Sequence, residues 1–357
     1  MKLLEPFHLG DLNLKNRMVM APLTRNRAPN TIPQDLMATY YRQRAGAGLI
    51  IAEATQIIPM GQGYPHTPGI HSEAQIAAWQ KITDEVHKAG GLIFLQLWHV
   101  GRISHSSYHG GKAPVSASDV RYEGNIMYPD FSYKPSDESP RGLELEEIPG
   151  LIDDYRKAAQ NAQNAGFDGI EIHAANGYLI EQFLRTGTNK RSDNYGDSLE
   201  NRLRLLKEIT EAALSVWDSK RVGVRLSPNI GEGSKADANP QETYSAAAEL
   251  LSSYNLAFLH TVEANLGNSK ASDLMRKAYT GTHLVTGGLT KESGEKLLED
   301  GIADLAGYGK LFIANPDLAE RFKQNADLNA WDSKSFFGGA EEGYTDYPSL
   351  KEAQALA

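Results

Sequence analysis

The stretch IPGLIDDYRKAAQNAQNAGFDGIEIHAANGY, Ile148–Tyr178, carries the reading of the fold. Up to Ala165 its apolar residues recur at helical intervals, and Gly166 follows where a helix C-terminus favours glycine. Asp168–His173 is then a short run rich in Ile, as expected of a strand buried on both faces. The run ends on residues that do chemistry: His173, Asn176 and Tyr178 fall within six positions of one another.

Working outward, the same alternation repeats. Comparable runs are Met18–Pro22, Gly48–Ala54, Gly91–Leu97, Arg221–Leu226, Ala257–Val262, His283–Gly287 and Ala303–Gly307, which with Asp168–His173 make eight. Helical patterns lie between them, at Gln75–Ala89, Leu199–Trp217, Pro240–Ser252 and Lys291–Asp300 as well as Ile148–Ala165. Eight strands with intervening helices predict a single (β/α)₈ TIM barrel, an α/β fold, rather than a doubly wound sheet. No glycine-rich dinucleotide fingerprint follows the first strand, which leads into Leu23-Thr24-Arg25. The 357 residues would suffice for two average domains, but the repeat reads as one domain over 1–357. Met1–Leu14 predicts a short strand pair turning at Gly10-Asp11 and plugging the barrel floor. Residues 101–147, after the third strand, predict a long excursion over the mouth, and an aromatic-bearing tail at about 331–357 is expected to fold back to it.

Composition narrows the function. The net charge is −9 with no Lys/Arg-rich run, which leaves no nucleic-acid footprint. The absence of cysteine excludes disulfides, thiolate zinc sites, Cys-ligated iron–sulfur clusters and a cysteine nucleophile. No apolar run approaches the roughly 20 residues that span a bilayer, and the N-terminus lacks a signal-peptide core, so a cytoplasmic protein is expected.

Active sites in barrels sit at the C-terminal strand ends. Glycine pairs at Gly287-Gly288 and around Gly309-Lys310, after strands seven and eight, suit a phosphate, with Asn315-Pro316-Asp317 expected to open a helix toward it. The rival reading is tight turns without a ligand. His173 could be a satisfied core histidine, but with Asn176 and Tyr178 beside it the set can hold an oxyanion and supply a proton. No second His or carboxylate pair nearby supports a metal. Glu171 is expected to face the helix layer. Arg225 is either a buried ion-pair partner or a cation facing a cofactor. Together with Gln96 and Thr24 it suits a flat heterocycle with carbonyls and ring nitrogens.

Several stretches then resemble the old yellow enzyme family of FMN-dependent ene-reductases, the kind that includes N-ethylmaleimide and pentaerythritol tetranitrate reductases. They are APLTRNRA (Ala21–Ala28), QLWHVGRISH (Gln96–His105), PVSAS (Pro114–Ser118) and HAANGYLIEQFL (His173–Leu184). NKRSDNYGDSLENR (Asn189–Arg202), VRLSP (Val224–Pro228), FIANPDL (Phe312–Leu318) and GYTDYPSL (Gly343–Leu350) follow in order.

The resemblance implies tightly bound, non-covalent FMN, with Pro22, Thr24, Ala54 and Gln96 at the isoalloxazine and Arg225 at its pyrimidine side. Gly287, Gly288, Gly309 and Lys310 would cradle the phosphate. It implies that His173 and Asn176 grip a substrate oxygen, that Tyr178 is the general acid, and that Tyr64, Trp98 and Tyr347 line the substrate cavity. NAD(P)H, NADPH foremost, would reduce the flavin. Hydride would then pass from N5 to the β-carbon of an activated alkene (an enone, maleimide or nitroalkene), and nitrate esters present a similar oxygen. Phenols would bind as inhibitors, and a monomer or weak homodimer is expected. The chain departs from many members in Lys310, a point charge where Arg is common. It carries the His-x-x-Asn form of the substrate pair, and Ile230–Asn239 and Tyr122–Pro140 match the family less clearly. A phosphate-binding aldolase or isomerase and a non-catalytic flavin carrier remain the alternatives at this point.

Overall fold

The eight runs form strands β1 Met18–Met20, β2 Leu49–Gln56, β3 Ile93–Trp98, β4 Gly169–His173, β5 Val222–Leu226, β6 Phe258–Val262, β7 His283–Thr286 and β8 Leu305–Tyr308. In the computed structural model they pair in parallel and in chain order, and β8 closes onto β1. The structure describes residues 1–228, 237–263 and 271–356; most of the expected variable loop, residues 230–236, lies outside them.

Helices alternate with the strands: α1 Asp35–Gln43, α2 Glu73–Lys88, α3 Ile148–Asn164, α4 Leu179–Leu184 and α5 Leu199–Leu214. Then come α6 Pro240–Ser252, α7 Ala271–Ala278, α8 Lys291–Glu299, α9 Lys310–Ala314, α10 Leu318–Gln324 and, in the tail, α11 Leu350–Leu356. Local chemistry sets their starts. Ser72 and Thr290 side chains accept from the third helical N–H of α2 and α8, and Asn239 caps α6 ahead of Pro240. Among the described residues no helix is long and apolar enough to cross a membrane.

The floor of the barrel is plugged as expected. Phe7–Leu9 and Leu12–Leu14 pair antiparallel around Gly10, whose φ of 61° suits the turn. Leu9, Leu12 and Leu14 pack on Val19, Leu49, Phe94, Phe258, Leu284 and Leu305 inside the barrel. Each leucine buried there contributes roughly 1.5–3 kcal/mol. Phe94 and Phe258 stack with ring centroids 5.8 Å apart. Glycine makes room for them: a Cβ at Gly169 would stand 2.4 Å from the Phe94 ring, and one at Gly223 2.2 Å from that of Phe258.

The 101–147 excursion is not a bare loop. It carries a hairpin of Asn125–Met127 with Tyr133–Pro135, and Val115–Ser116 pairs in parallel with Arg141–Gly142. Ser116 Oγ donates to Gln182 Oε1 of α4 at 2.9 Å, which ties the excursion to the segment behind Tyr178. The tail returns to the β1 end. Arg25 donates to the carbonyls of Phe336 and Gly343, both at 2.9 Å, and Arg27 to that of Ala340 at 3.0 Å. Tyr344 stacks on Tyr40 of α1 at 4.0 Å.

Candidate active site

A cavity of about 820 Å³ opens at the C-terminal ends of the strands, within the range of cofactor sites. Six residues expected around FMN line it together: Pro22, Arg225, Gly287, Gly288, Gly309 and Lys310. Gly287 and Gly288 have φ of 149° and 75°, and a Cβ on Gly287 would meet the Glu263 carbonyl at 2.2 Å. Only glycine allows that backbone to approach an anion. Helix α9 starts directly at Lys310, and Gly309, Lys310 and Leu311 at that start line the same end. Arg225 is nearly buried and its Nε finds no partner among the described residues. A buried cation with a free donor beside a glycine-lined cavity fits an anionic heterocycle with a phosphate.

Asn315-Pro316-Asp317 does open a helix, α10, with Asp317 at its N-cap, but the link to the phosphate is corrected: the Asp317 carboxylate accepts from Arg321 Nε at 2.8 Å and Leu350 N–H at 2.5 Å. That helix end is committed to the tail; α10 lines the cavity with Arg321 and Phe322 instead. Lys291 and Trp331 also line it, and Lys310 Nζ lies 6.0 Å from the Trp331 ring centre. Lys291 stands three residues past Gly288, so adjacency in sequence could have found it. Trp331 comes from a tail with no periodic pattern and gave no such signal.

Beside the cavity, β4 and β3 bring together the expected substrate residues. His173 and Tyr178 meet edge-to-face at 5.0 Å, Trp98 meets Tyr178 at 5.1 Å, and Tyr64 stacks on Trp98 at 5.5 Å. Ala54 packs in the same cluster. The Tyr64 and Tyr178 hydroxyls hydrogen-bond at 3.0 Å. His173 is held well below the ordinary imidazole range, by burial first and by the Arg225 charge second. Its Nδ1 accepts from the Ala175 N–H at 3.3 Å, which leaves the neutral ring's proton on Nε2. Asn176 turns in the left-handed region, φ 58°, and its buried Oδ1 has no partner among the described residues. Burial pushes Tyr178 up to about 12, against a smaller lowering by the Tyr64 hydrogen bond. It is a phenol, not a phenolate, at neutral pH.

Below this cluster lies a polar layer in which Glu171 corrects its expected place. Two residues from His173 on a strand, it shares that residue's face and points into the barrel, not to the helices. Its carboxylate accepts from Gln96 Nε2 and bonds His260 Nδ1, both at 2.6 Å, and His260 Nε2 reaches Thr286 Oγ1 at 3.0 Å. Gln96 is therefore anchored by one amide hydrogen. Thr24 is half-buried just beyond Leu23, which lines the cavity. Tyr347 is not among the residues of the aromatic cluster; its hydroxyl accepts from the Asp332 N–H at 3.0 Å.

Comparison with known proteins agrees with this architecture. Residues 2–329 match the model of the NADH:flavin oxidoreductase / NADH oxidase family. The chain is 45% identical to 12-oxophytodienoate reductase 1 of Oryza sativa subsp. japonica, over 98% of this chain and 93% of that one. It is 40% identical to 12-oxophytodienoate reductase 2 of Arabidopsis thaliana, over 98% and 96% of the two chains. Among solved structures it superposes on morphinone reductase in complex with tetrahydroNAD with a TM-score of 0.93, at 45% identity and 98% coverage of each chain. The old yellow enzyme homologue of Zymomonas mobilis matches with a TM-score of 0.94, at 44% identity, over 98% of this chain and 100% of that one. The chain belongs to the NADH:flavin oxidoreductase / NADH oxidase family and is an FMN-dependent oxidoreductase of the old yellow enzyme type.

Proposed function

We propose that the protein reduces the C=C bond of electron-poor alkenes (enones, maleimides and nitroalkenes) at the expense of NAD(P)H, with nitrate esters as further acceptors. The observation that carries this reading is the meeting of a neutral His173 and the un-ionised Tyr178 at 5.0 Å, beside a cavity lined by Arg225, Lys310 and the glycine turns that suit FMN. When bound, FMN would supply the hydride chemistry that links a nicotinamide to the β-carbon of the alkene.

The residues do the rest. His173 donates through Nε2, and Asn176 through its side-chain amide, to the carbonyl or nitro oxygen of the substrate. Both strengthen as negative charge gathers on that oxygen, which lowers the barrier rather than only tightening binding. Tyr178 gives its hydroxyl proton to the α-carbon. A phenol held near 12 keeps that proton until a carbanionic centre asks for it. Trp98 and Tyr64 wall the acceptor in and exclude water. Arg225 would offer its charge to the reduced ring, while Gly287, Gly288, Gly309 and Lys310 would hold the phosphate. Thr24, Ala54 and Gln96 would border the ring, whereas the Tyr347 hydroxyl is engaged by the Asp332 N–H and is given no part in the reaction. The relatives' names support the substrate class, since 12-oxophytodienoate and morphinone are both ketones. The tetrahydroNAD complex of morphinone reductase supports a nicotinamide donor.

Incubating the FMN-loaded protein with NADPH or NADH and 2-cyclohexenone, N-ethylmaleimide or a nitroalkene tests this. The saturated product is expected, with one nicotinamide consumed per alkene. Nicotinamide oxidation by dioxygen alone, with every alkene recovered intact, contradicts the reading.

A further inference from the structure

The turn that presents Asn176 has an unusual support. Asn176 and Gly177 both have left-handed backbones, φ 58° and 80°, which for a non-glycine residue must be held by its surroundings. The Asn176 N–H donates to Ser227 Oγ at 2.7 Å, and that hydroxyl donates to Glu181 Oε1, also at 2.7 Å. The Gly177 N–H donates to the other oxygen, Glu181 Oε2, at 2.5 Å. Glu181 therefore reaches both peptide N–H groups of the turn, one directly and one through Ser227.

Nothing in the proposed reaction uses this carboxylate. It is fully buried, pairs with the equally buried Arg185 at 2.9 Å, and accepts from the Tyr244 hydroxyl at 2.5 Å. Burying an ion pair costs the desolvation of both charges, so hydrophobic residues would serve bare stability as well or better. What they could not do is accept from the Gly177 N–H and from the Ser227 hydroxyl that in turn holds the Asn176 N–H. Ser227 immediately follows β5, two residues after Arg225, so the same link ties the substrate side of the site to the strand expected at the flavin.

We propose that Glu181, acting through Ser227 and the Gly177 N–H, is a positioning residue that holds Asn176 left-handed and aims its amide at the substrate oxygen. This rests on the reading of Asn176 as half of the substrate grip. Phenol binding reports on that grip without turnover, through the long-wavelength charge-transfer band expected of a phenolate over FMN.

Titration of the FMN-loaded wild type, Ser227→Ala and Ser227→Thr with a para-substituted phenol provides the test. Ser227→Ala is expected to raise the phenol Kd about tenfold and the KM for 2-cyclohexenone by a similar factor. FMN content should stay unchanged, and Ser227→Thr, which keeps the hydroxyl, should restore most of the affinity. Glu181→Asp serves if Ser227→Ala does not fold. It keeps the charge beside Arg185, withdraws the carboxylate by one methylene, and should weaken the phenol at least fivefold. An unchanged phenol Kd in the folded variant, or FMN loss in step with phenol affinity, overturns the positioning role while leaving the grip intact. A wild type that forms no phenol complex overturns the grip itself, and the positioning role with it.

Discussion

Tyr64 and Tyr178 share one hydrogen bond at 3.0 Å, and only one of its two polarities serves a proton donor. If Tyr178 is to give its proton to carbon, its oxygen must accept from Tyr64, which then steadies the phenolate left behind. Tyr64→Phe keeps the ring stacked on Trp98 and removes that donor. Tyr178, already pushed up to about 12 by burial, would rise further, because the Tyr64 bond lowers it more than the Arg225 charge does. A lost hydrogen bond to a charged group is worth about 1.5–3 kcal/mol, so alkene reduction should slow roughly tenfold to a hundredfold. Reduction by NAD(P)H should be untouched. Rapid-mixing rates of the two half-reactions check this, and equal slowing of both would remove Tyr64 from the protonation step. His173, Asn176 and Tyr178 were legible in sequence because they follow one buried strand within six positions. The Tyr64 contact was not, because it joins segments 114 positions apart.

Strand chemistry explains what sequence alone could and could not give about the elements. All eight strands are short, apolar and bounded by turns, so their number and order could be read directly. Period-two alternation also governs Glu171, which follows the face of His173 once that rule is applied strictly. It fails in β2. There the pairing with β3 slips between Ala52 and Thr55, a bulge that breaks the alternation. Glu53 thereby reaches the Tyr41 hydroxyl of α1 at 3.1 Å, while Ala54 packs against Trp98 in the mouth. Simple alternation from Ile51 would have aimed Glu53 at the mouth instead. The barrel floor offers a test of packing. Gly223→Ala puts a methyl 2.2 Å from the Phe258 ring and should destabilise the fold by about 1–3 kcal/mol, read from denaturant unfolding. Gly46→Ala, with open space around its Cβ, serves as the control. Equal stability of the two variants would refute the role given to Gly223.

Across the whole molecule, the tail and the barrel meet over one buried acid. Glu53 lies beneath Arg25 and Arg27, whose guanidinium groups hold the carbonyls of the tail, and burial lifts its carboxyl from 4.5 to about 7. The folded chain binds that proton more tightly than the unfolded chain does. Stability from this group is therefore full below the unfolded value and is lost as pH rises through the folded one, between about 4.5 and 7. Glu53→Gln stays neutral, so its melting temperature relative to wild type should climb across that window. A constant difference would show that Glu53 ionises normally. The tail's course itself was only partly legible, because its anchors are backbone carbonyls that any sequence offers. In the proposed reaction the barrel holds FMN, one strand end grips an oxygen, and one phenol gives the proton. Anaerobic mixing of FMN-loaded wild type and Tyr178→Phe, first with NADPH and then with 2-cyclohexenone, separates these roles. Equal rates of flavin bleaching are expected, with reoxidation by the enone at least a hundredfold slower in the variant, about 2.7 kcal/mol of lost barrier lowering. Reoxidation at the wild-type rate, or bleaching slowed as much as reoxidation, would contradict those roles.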